Sequence, residues 1–250
     1  MFMKIDQIKS CYIGPHISPE AFISEHIFIY LLKGKMQGFD GHKSYSLVPG
    51  QYTIVRKNNL ARYNKQKEDN VFEKVVVIFD EAFLKMYQQK HGVASQSYVS
   101  NDVFLHLHKT DLVPQLFLQQ EDDSTREKLL NILLQTNPGL ENILFDFGMP
   151  AKIDLESYMN RNFRFNVAIQ RFAYLTGRSL TAFKQDFKKV FNDTPGKWLI
   201  QKRLKEAYFL IDKEGQRPSD VYIEVGFEDL SHFSYAFKKL FGFSPTQLRK

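Results

Sequence analysis

The clearest pattern of apolar and polar positions is an amphipathic stretch that the chain contains twice, fifty residues apart. In each copy the apolar residues recur three or four positions apart, which is the period of one face of an α-helix. These positions are Leu180, Phe183, Phe187, Val190 and Phe191 in the first copy, and Leu230, Phe233, Phe237 and Phe241 in the second. The pattern predicts an internal repeat of one amphipathic helix, with Ser179 placed to cap the first copy.

A shorter helix and a tight turn are predicted before each copy. The predicted N-caps, helices and turns are Asn166, Val167–Leu175 and Thr176-Gly177 in the first copy, and Ser219, Asp220–Val225 and Gly226 in the second. Two helices joined by a glycine-containing turn form a helix-turn-helix. The sequence therefore predicts two such units, at residues 166–191 and 219–241.

A helix from Gly196 to Ile211, opened by Pro195, is predicted to join the two units. It would span roughly 25 Å and could hold the second helices of both units about one DNA turn apart. The second helix of a helix-turn-helix lies in the major groove, so its outward residues are candidates for DNA contact. These candidates are Thr181, Lys184, Gln185, Lys188, Ser231, His232, Ser234, Tyr235 and Lys238.

Residues 226–239, followed by Gly242-Phe243-Ser244-Pro245, resemble the signature of AraC/XylS-type transcriptional regulators, and Arg203-Leu204 matches in the joining helix. The resemblance covers about residues 154–250 and implies sequence-specific binding of double-stranded DNA. Three positions differ from the family pattern. Tyr222 replaces alanine, Asn192 replaces the glycine after the first copy, and Tyr235 replaces the arginine that many members carry.

Charge is distributed unequally between the two halves of the chain. Residues 152–250 hold 18 Lys and Arg against 11 Asp and Glu, a net charge of +7, whereas residues 1–151 hold 16 against 17, a net charge of −1. A basic half attached to a neutral half is typical of a polyanion-binding domain joined to another domain. The length of 250 residues suits two domains of ordinary size.

The first half is predicted to be β-rich up to about residue 108 and helical over residues 111–147. Short strands with Gly and Pro turns suggest a sandwich or barrel, and their order resembles the cupin-like sensor domain of the same family. Helices are predicted from Leu112 to Gln120 and from Thr125 to Thr136, the second opened by a capping box at residues 124–127. They either form a dimer interface or pack on their own β-domain, and packing is favoured because apolar helix faces are usually core.

The predicted fold class is therefore α+β. It comprises a cupin-like β-sandwich or barrel with trailing helices at residues 1–148, and an all-α DNA-binding domain at residues 152–250 with two helix-turn-helix units joined by a helix. The boundary is predicted near Gly148-Met149-Pro150.

Candidate chemistry outside the helical half is sparse. His106 and His108 would lie on one strand face, but the carboxylate and distal histidine of a cupin metal site do not follow, so no metal, cofactor or catalytic residue is predicted. The single cysteine, Cys11, fits a reducing cytoplasm. The start of the chain has no apolar signal-peptide region, and no apolar run is long enough to span a membrane.

The hypothesis is a cytoplasmic, sequence-specific transcriptional regulator, activator or repressor, rather than an enzyme. Double-stranded DNA is the expected partner, and RNA polymerase, a second copy of the chain and a small-molecule effector of unknown binding residues are further candidates. Two alternatives stay open at this point. The chain could be a cupin-type enzyme with a basic helical appendage, or a non-specific nucleic-acid-binding protein.

Overall fold

A computed structural model of the chain describes residues 6–10, 21–94, 102–118 and 124–248. Contacts between residues divide the chain into two units, Met1–Gly148 and Met149–Lys250. Cys11 and the predicted helix end at Gln120 lie outside the described residues. Among the helices that the described ranges contain, none is long and apolar enough to cross a membrane.

Ten strands form the β-structure of the first unit over the described ranges. They are β1 (Asp6–Ser10), β2 (Phe22–Ile23), β3 (His26–Lys33), β4 (Lys35–Phe39), β5 (Ser44–Leu47), β6 (Tyr52–Val55), β7 (Asn59–Leu60), β8 (Arg62–Gln66), β9 (Phe72–Phe79) and β10 (Phe104–His106). All pairings between them are antiparallel. They make a five-stranded sheet in the order β1-β9-β3-β6-β10, a three-stranded sheet in the order β5-β4-β8, and the pair β2-β7.

The five-stranded sheet is buried on both faces because the side chains of its central strand alternate. Ile29 and Leu31 of β3 pack with Met36 of β4 and the aromatic rings of the three-stranded sheet. Phe28 and Tyr30 point to the other face, where helices cover them. The first unit is therefore a β-sandwich with a helical layer on one side, which confirms the predicted α+β class.

The helical layer of the first unit begins earlier than the sequence predicts. Its helices are α1 (Glu81–His91), α2 (Leu112–Leu118), α3 (Thr125–Thr136) and α4 (Leu140–Leu144). The prediction of β-structure up to about residue 108 is wrong at α1. Asp80 caps this helix by accepting a hydrogen bond from the Phe83 N–H at 2.8 Å, and Gly92 ends it in the left-handed conformation.

Helix α3 packs on the β-structure of its own unit, which is the arrangement that the sequence favours. Leu129, Leu130 and Leu133 are fully buried in the same cluster as Phe28. The predicted capping box is wrong, because Ser124 has helical φ and ψ and makes no capping hydrogen bond. Glu127 instead binds Lys90 and His91 of α1, both at 2.8 Å.

Seven helices make up the second unit within the described residues. They are α5 (Leu155–Asn162), α6 (Ile169–Leu175), α7 (Leu180–Phe191), α8 (Pro195–Asp212), α9 (Pro218–Glu224), α10 (Leu230–Phe241) and α11 (Pro245–Leu248). The joining helix expected from Gly196 to Ile211 is observed as α8, with Pro195 in its first turn. Asp154 caps α5 through the Ser157 N–H at 2.7 Å.

Two predicted N-caps in this unit are wrong. Ala168, rather than Asn166, precedes α6, and the Asn166 amide instead donates to Glu228 at 2.6 Å. Ser219 lies inside α9, because Pro218 with its fixed φ begins the helix two residues before the predicted start at Asp220. In both cases a residue type that often caps helices is used differently, because a distant partner or a neighbouring proline decides where the helix begins.

Candidate nucleic-acid interface

Helix α7 separates an apolar face from a polar face. Ser179 accepts a hydrogen bond from the Ala182 N–H at 3.2 Å and fixes the start of the helix. Phe183 and Phe187 are fully buried. The four candidates on this helix, Thr181, Lys184, Gln185 and Lys188, are all exposed on the opposite face. Because residues three or four positions apart are neighbours on a helix surface, these four side chains form one continuous polar face.

Helix α10 repeats this arrangement with different outward residues. Asp229 caps it through the His232 N–H at 2.6 Å, and Phe233 and Phe237 are fully buried. The candidates Ser231, His232, Tyr235 and Lys238 are exposed, whereas Ser234 is half-buried. Tyr235 is 68% exposed, so a large aromatic side chain stands in the middle of this polar face.

Aromatic rings from α8 fix both helices from behind. Trp198 packs on Phe187 and Phe191, with ring centroids 5.6 and 4.5 Å apart. Tyr208 packs on Phe237 and Phe241, with centroids 6.4 and 5.0 Å apart. Because α8 contains 18 residues, it is about 27 Å long and touches the two helices near its opposite ends.

The turn of the first helix-turn-helix is closely packed. Gly177 has φ +66°, and a Cβ there would lie 2.5 Å from backbone atoms of Ala151 and Lys152. Arg178 after it donates to Asp186 of α7 at 3.0 Å and to the Ile153 carbonyl at 2.9 Å. The hydrogen bond from Arg178, helped by its charge and that of Lys152, holds the pKa of Asp186 below its usual range.

The sequence did not predict that Arg178 and Asp186 hold the turn and the second helix together. The only local signal was an arginine directly after the turn glycine and an acidic residue on the following helix. Sequence reasoning also missed the role of Arg203, which is 8% exposed and donates to the Phe163 and Phe165 carbonyls at 2.7 and 2.8 Å. Burial lowers the pKa of Arg203 to about 10, so the guanidinium is still charged at neutral pH.

The first unit contains a cleft between its two larger sheets, with a volume of about 170 Å³. Its wall is largely aromatic and aliphatic, with Tyr45, Tyr52, Phe104 and Leu105, and its polar side chains include Lys109 and His106. His108 is held elsewhere, since its Nδ1 lies 2.9 Å from the Thr136 carbonyl. Within the described ranges no three His, Cys, Asp or Glu side chains cluster as metal ligands would.

Each half of the chain matches a known protein family. A family described as "Helix-turn-helix domain" matches residues 172–250, and a family described as "ExsA N-terminal regulatory domain" matches residues 26–136. Together the two matches cover most of the chain, and each begins and ends within one of the two units.

Curated relatives extend the comparison. The chain is 28% identical over 125 residues to the virulence regulon transcriptional activator VirF of Yersinia enterocolitica, covering 49% of this chain and 46% of VirF. It spans about half the length of this relative. It is also 21% identical to the regulator ExsA of Pseudomonas aeruginosa, over 98% of this chain and 93% of ExsA.

Solved structures of low overall similarity include a variant of apo ToxT from Vibrio cholerae, with 14% identity, a TM-score of 0.39 and coverage of 91% of this chain and 89% of ToxT. The DNA-binding domain of AdpA, solved with a target DNA, has 20% identity and a TM-score of 0.36, and covers 38% of this chain and 86% of that domain.

The fold and the paired outward faces define a helix-turn-helix protein with two such units. The chain is similar to transcriptional regulators of the AraC family, and ExsA and VirF are among these relatives. This is a family of regulators and not of enzymes.

Proposed function

We propose that this chain is a sequence-specific DNA-binding transcriptional regulator whose helices α7 and α10 enter two successive segments of the major groove. The observation that carries the proposal is the repeated geometry of these helices. Each helix buries two phenylalanines in the core of the second unit, and no other part of that unit, within the described residues, covers its polar face. A major groove admits a helix with such a face, and the net charge of residues 152–250 favours a polyanion.

The side chains on the two faces have different roles in this proposal. Lys184 and Gln185 stand in the first half of α7, where a side chain can hydrogen-bond to base edges. On α10 the corresponding place holds Ser234 and Tyr235, which suit a hydroxyl contact and an apolar contact. Lys188 and Lys238 lie in the last turns of their helices and supply phosphate affinity.

Duplexes enriched from a random pool test this proposal directly. We expect the full chain to prefer an enriched duplex over a scrambled one, and to bind both less tightly as salt rises. Lys184→Ala and Gln185→Ala should each weaken discrimination between base variants by about 1 to 3 kcal/mol per good contact. Lys189→Ala, which removes an exposed lysine at the end of α7, is the control and should leave base preference unchanged. Equal affinity for enriched and scrambled duplexes would favour the non-specific alternative.

The spacing of the two DNA boxes tests whether both helices read DNA together. Because α8 joins them, their boxes should lie on one face of the duplex with centres about 10 base pairs apart. Inserting about five base pairs turns the second box to the opposite face and should abolish the benefit of having both boxes. Uniform affinity across a series of spacers would mean that only one unit reads DNA.

The first unit supports a regulatory role, and the cleft between its sheets is the candidate effector site. An apolar cavity of about 150 Å³ can hold a benzene ring, so the cleft of about 170 Å³ suits a ligand of one ring or a short chain. Lys109 at its wall favours an anionic group on that ligand. A thermal-shift screen of small aromatic and aliphatic acids, repeated with Lys109→Met, tests this idea. Stabilisation by neutral analogues alone would contradict the proposed role of the charge.

The remaining partners follow from the same proposal. A regulator of this type acts where the DNA is, so we expect it in the cytoplasm. Transcription in vitro with RNA polymerase would show whether the chain activates, as the name of VirF states for that relative, or represses. Sedimentation with and without DNA would show whether two copies associate.

A further inference from the structure

The loop between α5 and α6, residues 163–168, precedes the first helix-turn-helix in the chain but binds the second one. Its backbone is held by Arg203 of α8, which donates from Nε to the Phe163 carbonyl and from Nη2 to the Phe165 carbonyl. The guanidinium is buried, and both of these acceptors are carbonyl oxygens rather than carboxylates. A buried cation fixed in this way is costly to move, because its charge would lose these acceptors.

Side chains of the same loop reach further into the second helix-turn-helix. Arg164 forms ion pairs with Glu206 of α8 and with Glu224 of α9, the second at 3.4 Å. Asn166 donates to Glu228, in the turn between α9 and α10, at 2.6 Å. The α5–α6 loop therefore contacts the joining helix α8, helix α9 and the turn between α9 and α10.

Backbone packing at the turn is equally close. Gly226 has φ +99°, and a Cβ there would lie 2.5 Å from the Arg164 carbonyl oxygen and 3.1 Å from Arg203 Nε. The absence of a side chain lets the turn lie directly on the α5–α6 loop. Since α6 begins three residues after Asn166, a displacement of α9 would be transmitted to the start of the first helix-turn-helix.

We propose that the α5–α6 loop, with its own Arg164 and Asn166 and held by Arg203 of α8, sets the orientation of the second helix-turn-helix relative to the first, so that both can occupy one face of the duplex. These are positioning residues and touch no base. The inference rests on the proposed function, since it concerns how two DNA-reading helices are aligned. Helix α8 alone sets their separation, whereas the loop adds a second attachment that resists rotation about the axis of α8.

Alignment matters because the two helices bind one duplex as linked ligands. When the first is bound, the second meets its box at a high effective concentration only if its orientation is already correct. Loosening the loop should therefore weaken binding to a duplex with both boxes. It should leave binding to either box alone unchanged.

Glu224→Gln in the full chain tests this inference, and Glu214→Gln is its matched control. Both substitutions remove one negative charge from residues 149–250. Glu214, however, is exposed in the segment between α8 and α9, and its carboxylate accepts a hydrogen bond from the Gln216 side chain at 3.1 Å. The probes are a duplex enriched by the wild-type chain, and versions with either box scrambled. We expect Glu224→Gln to lower the preference for two boxes over one by about threefold to tenfold, which corresponds to one weak ion pair. Glu214→Gln should stay within about twofold of wild type.

Four results separate the possible explanations. An unchanged two-box preference in both Glu224→Gln and Arg164→Gln would overturn the inference. Weaker binding to a duplex that carries the second box alone would also overturn the inference. That result would mean that the variant damages the second helix-turn-helix itself rather than its alignment with the first. The double variant, Arg164→Gln with Glu224→Gln, should have the same two-box preference as Arg164→Gln alone, because Arg164→Gln already removes the ion pair to Glu224. If the wild-type chain enriches no duplex, the proposed function fails before any variant is compared.

Discussion

Gly177→Ala offers a sharp test of the packing described for the first helix-turn-helix. Gly177 has φ +66° and its added Cβ would meet backbone atoms of Ala151 and Lys152 at 2.5 to 2.6 Å. Gly215 has nearly the same φ, +67°, but nothing lies within 4 Å of its added Cβ. The two substitutions therefore share the conformational penalty and differ in the steric contact.

The structure gives the size of each effect. An alanine in the left-handed region costs about 1 to 2 kcal/mol, which is the whole effect expected for Gly215→Ala. At Gly177 the neighbouring backbone must also move by about 1 Å to restore ordinary contact, and such overpacking adds about 1 to 3 kcal/mol. We expect Gly177→Ala to lower the free energy of unfolding by about 2 to 5 kcal/mol.

Urea denaturation of the full chain, followed by tryptophan fluorescence, measures this difference. Trp198 is the single tryptophan and packs on Phe187 and Phe191, so its emission reports on the first helix-turn-helix. The midpoint should fall more for Gly177→Ala than for Gly215→Ala, at an unchanged denaturant slope. Equal losses within about 0.5 kcal/mol would refute the argument that contact with residues 151–152 requires glycine.

Three further predictions concern the cores, a helix end and pH. Phe187→Ala and Phe237→Ala should each lower the free energy of unfolding by about 3 to 5 kcal/mol in urea denaturation, whereas Val190→Ala, at a position 45% exposed, should cost under about 1 kcal/mol. Asn192 has φ +54°, so thermal melts should show Asn192→Gly as neutral or slightly stabilising, and Asn192→Ala as destabilising by about 1 kcal/mol. Burial, together with nearby cations, lowers the pKa of His26 from 6.5 to about 3, so below pH 6.5 the unfolded chain takes up a proton that the folded chain refuses. Stability of the first unit should then fall by up to about 1.4 kcal/mol per pH unit between pH 6.5 and 3, and acid unfolding of His26→Gln should lack this slope.

The sequence predicted those parts of the fold that depend on neighbours in the chain. The long helices were found because their apolar period, the Ser179 cap and Pro195 act within a few residues. The period also placed Thr181, Lys184 and Gln185 on one face. The β-rich character of the first half was predicted for the same local reason, from short strands bounded by Gly and Pro turns.

The errors arose where distant residues decide the local structure. Asn166 looked like a cap, but its partner is Glu228, sixty-two residues away. Helix α1 was missed because its apolar residues form no long stripe. It is stabilised partly by contacts to α3, such as the hydrogen bond from Tyr87 to Asn131. The contacts of Arg164 leave no periodic signal, so no pattern along the chain could have indicated them.

The unequal outward faces of α7 and α10 have a consequence for orientation along DNA. The inward phenylalanines of the two copies are the same, but lysine and glutamine at 184 and 185 are replaced by serine and tyrosine at 234 and 235. Two identical faces would bind the same base sequence and could not distinguish one box from the other. In the proposed function, two different faces on one chain bind two different base sequences. The order of the two boxes along the DNA would then fix the direction in which a single bound copy lies.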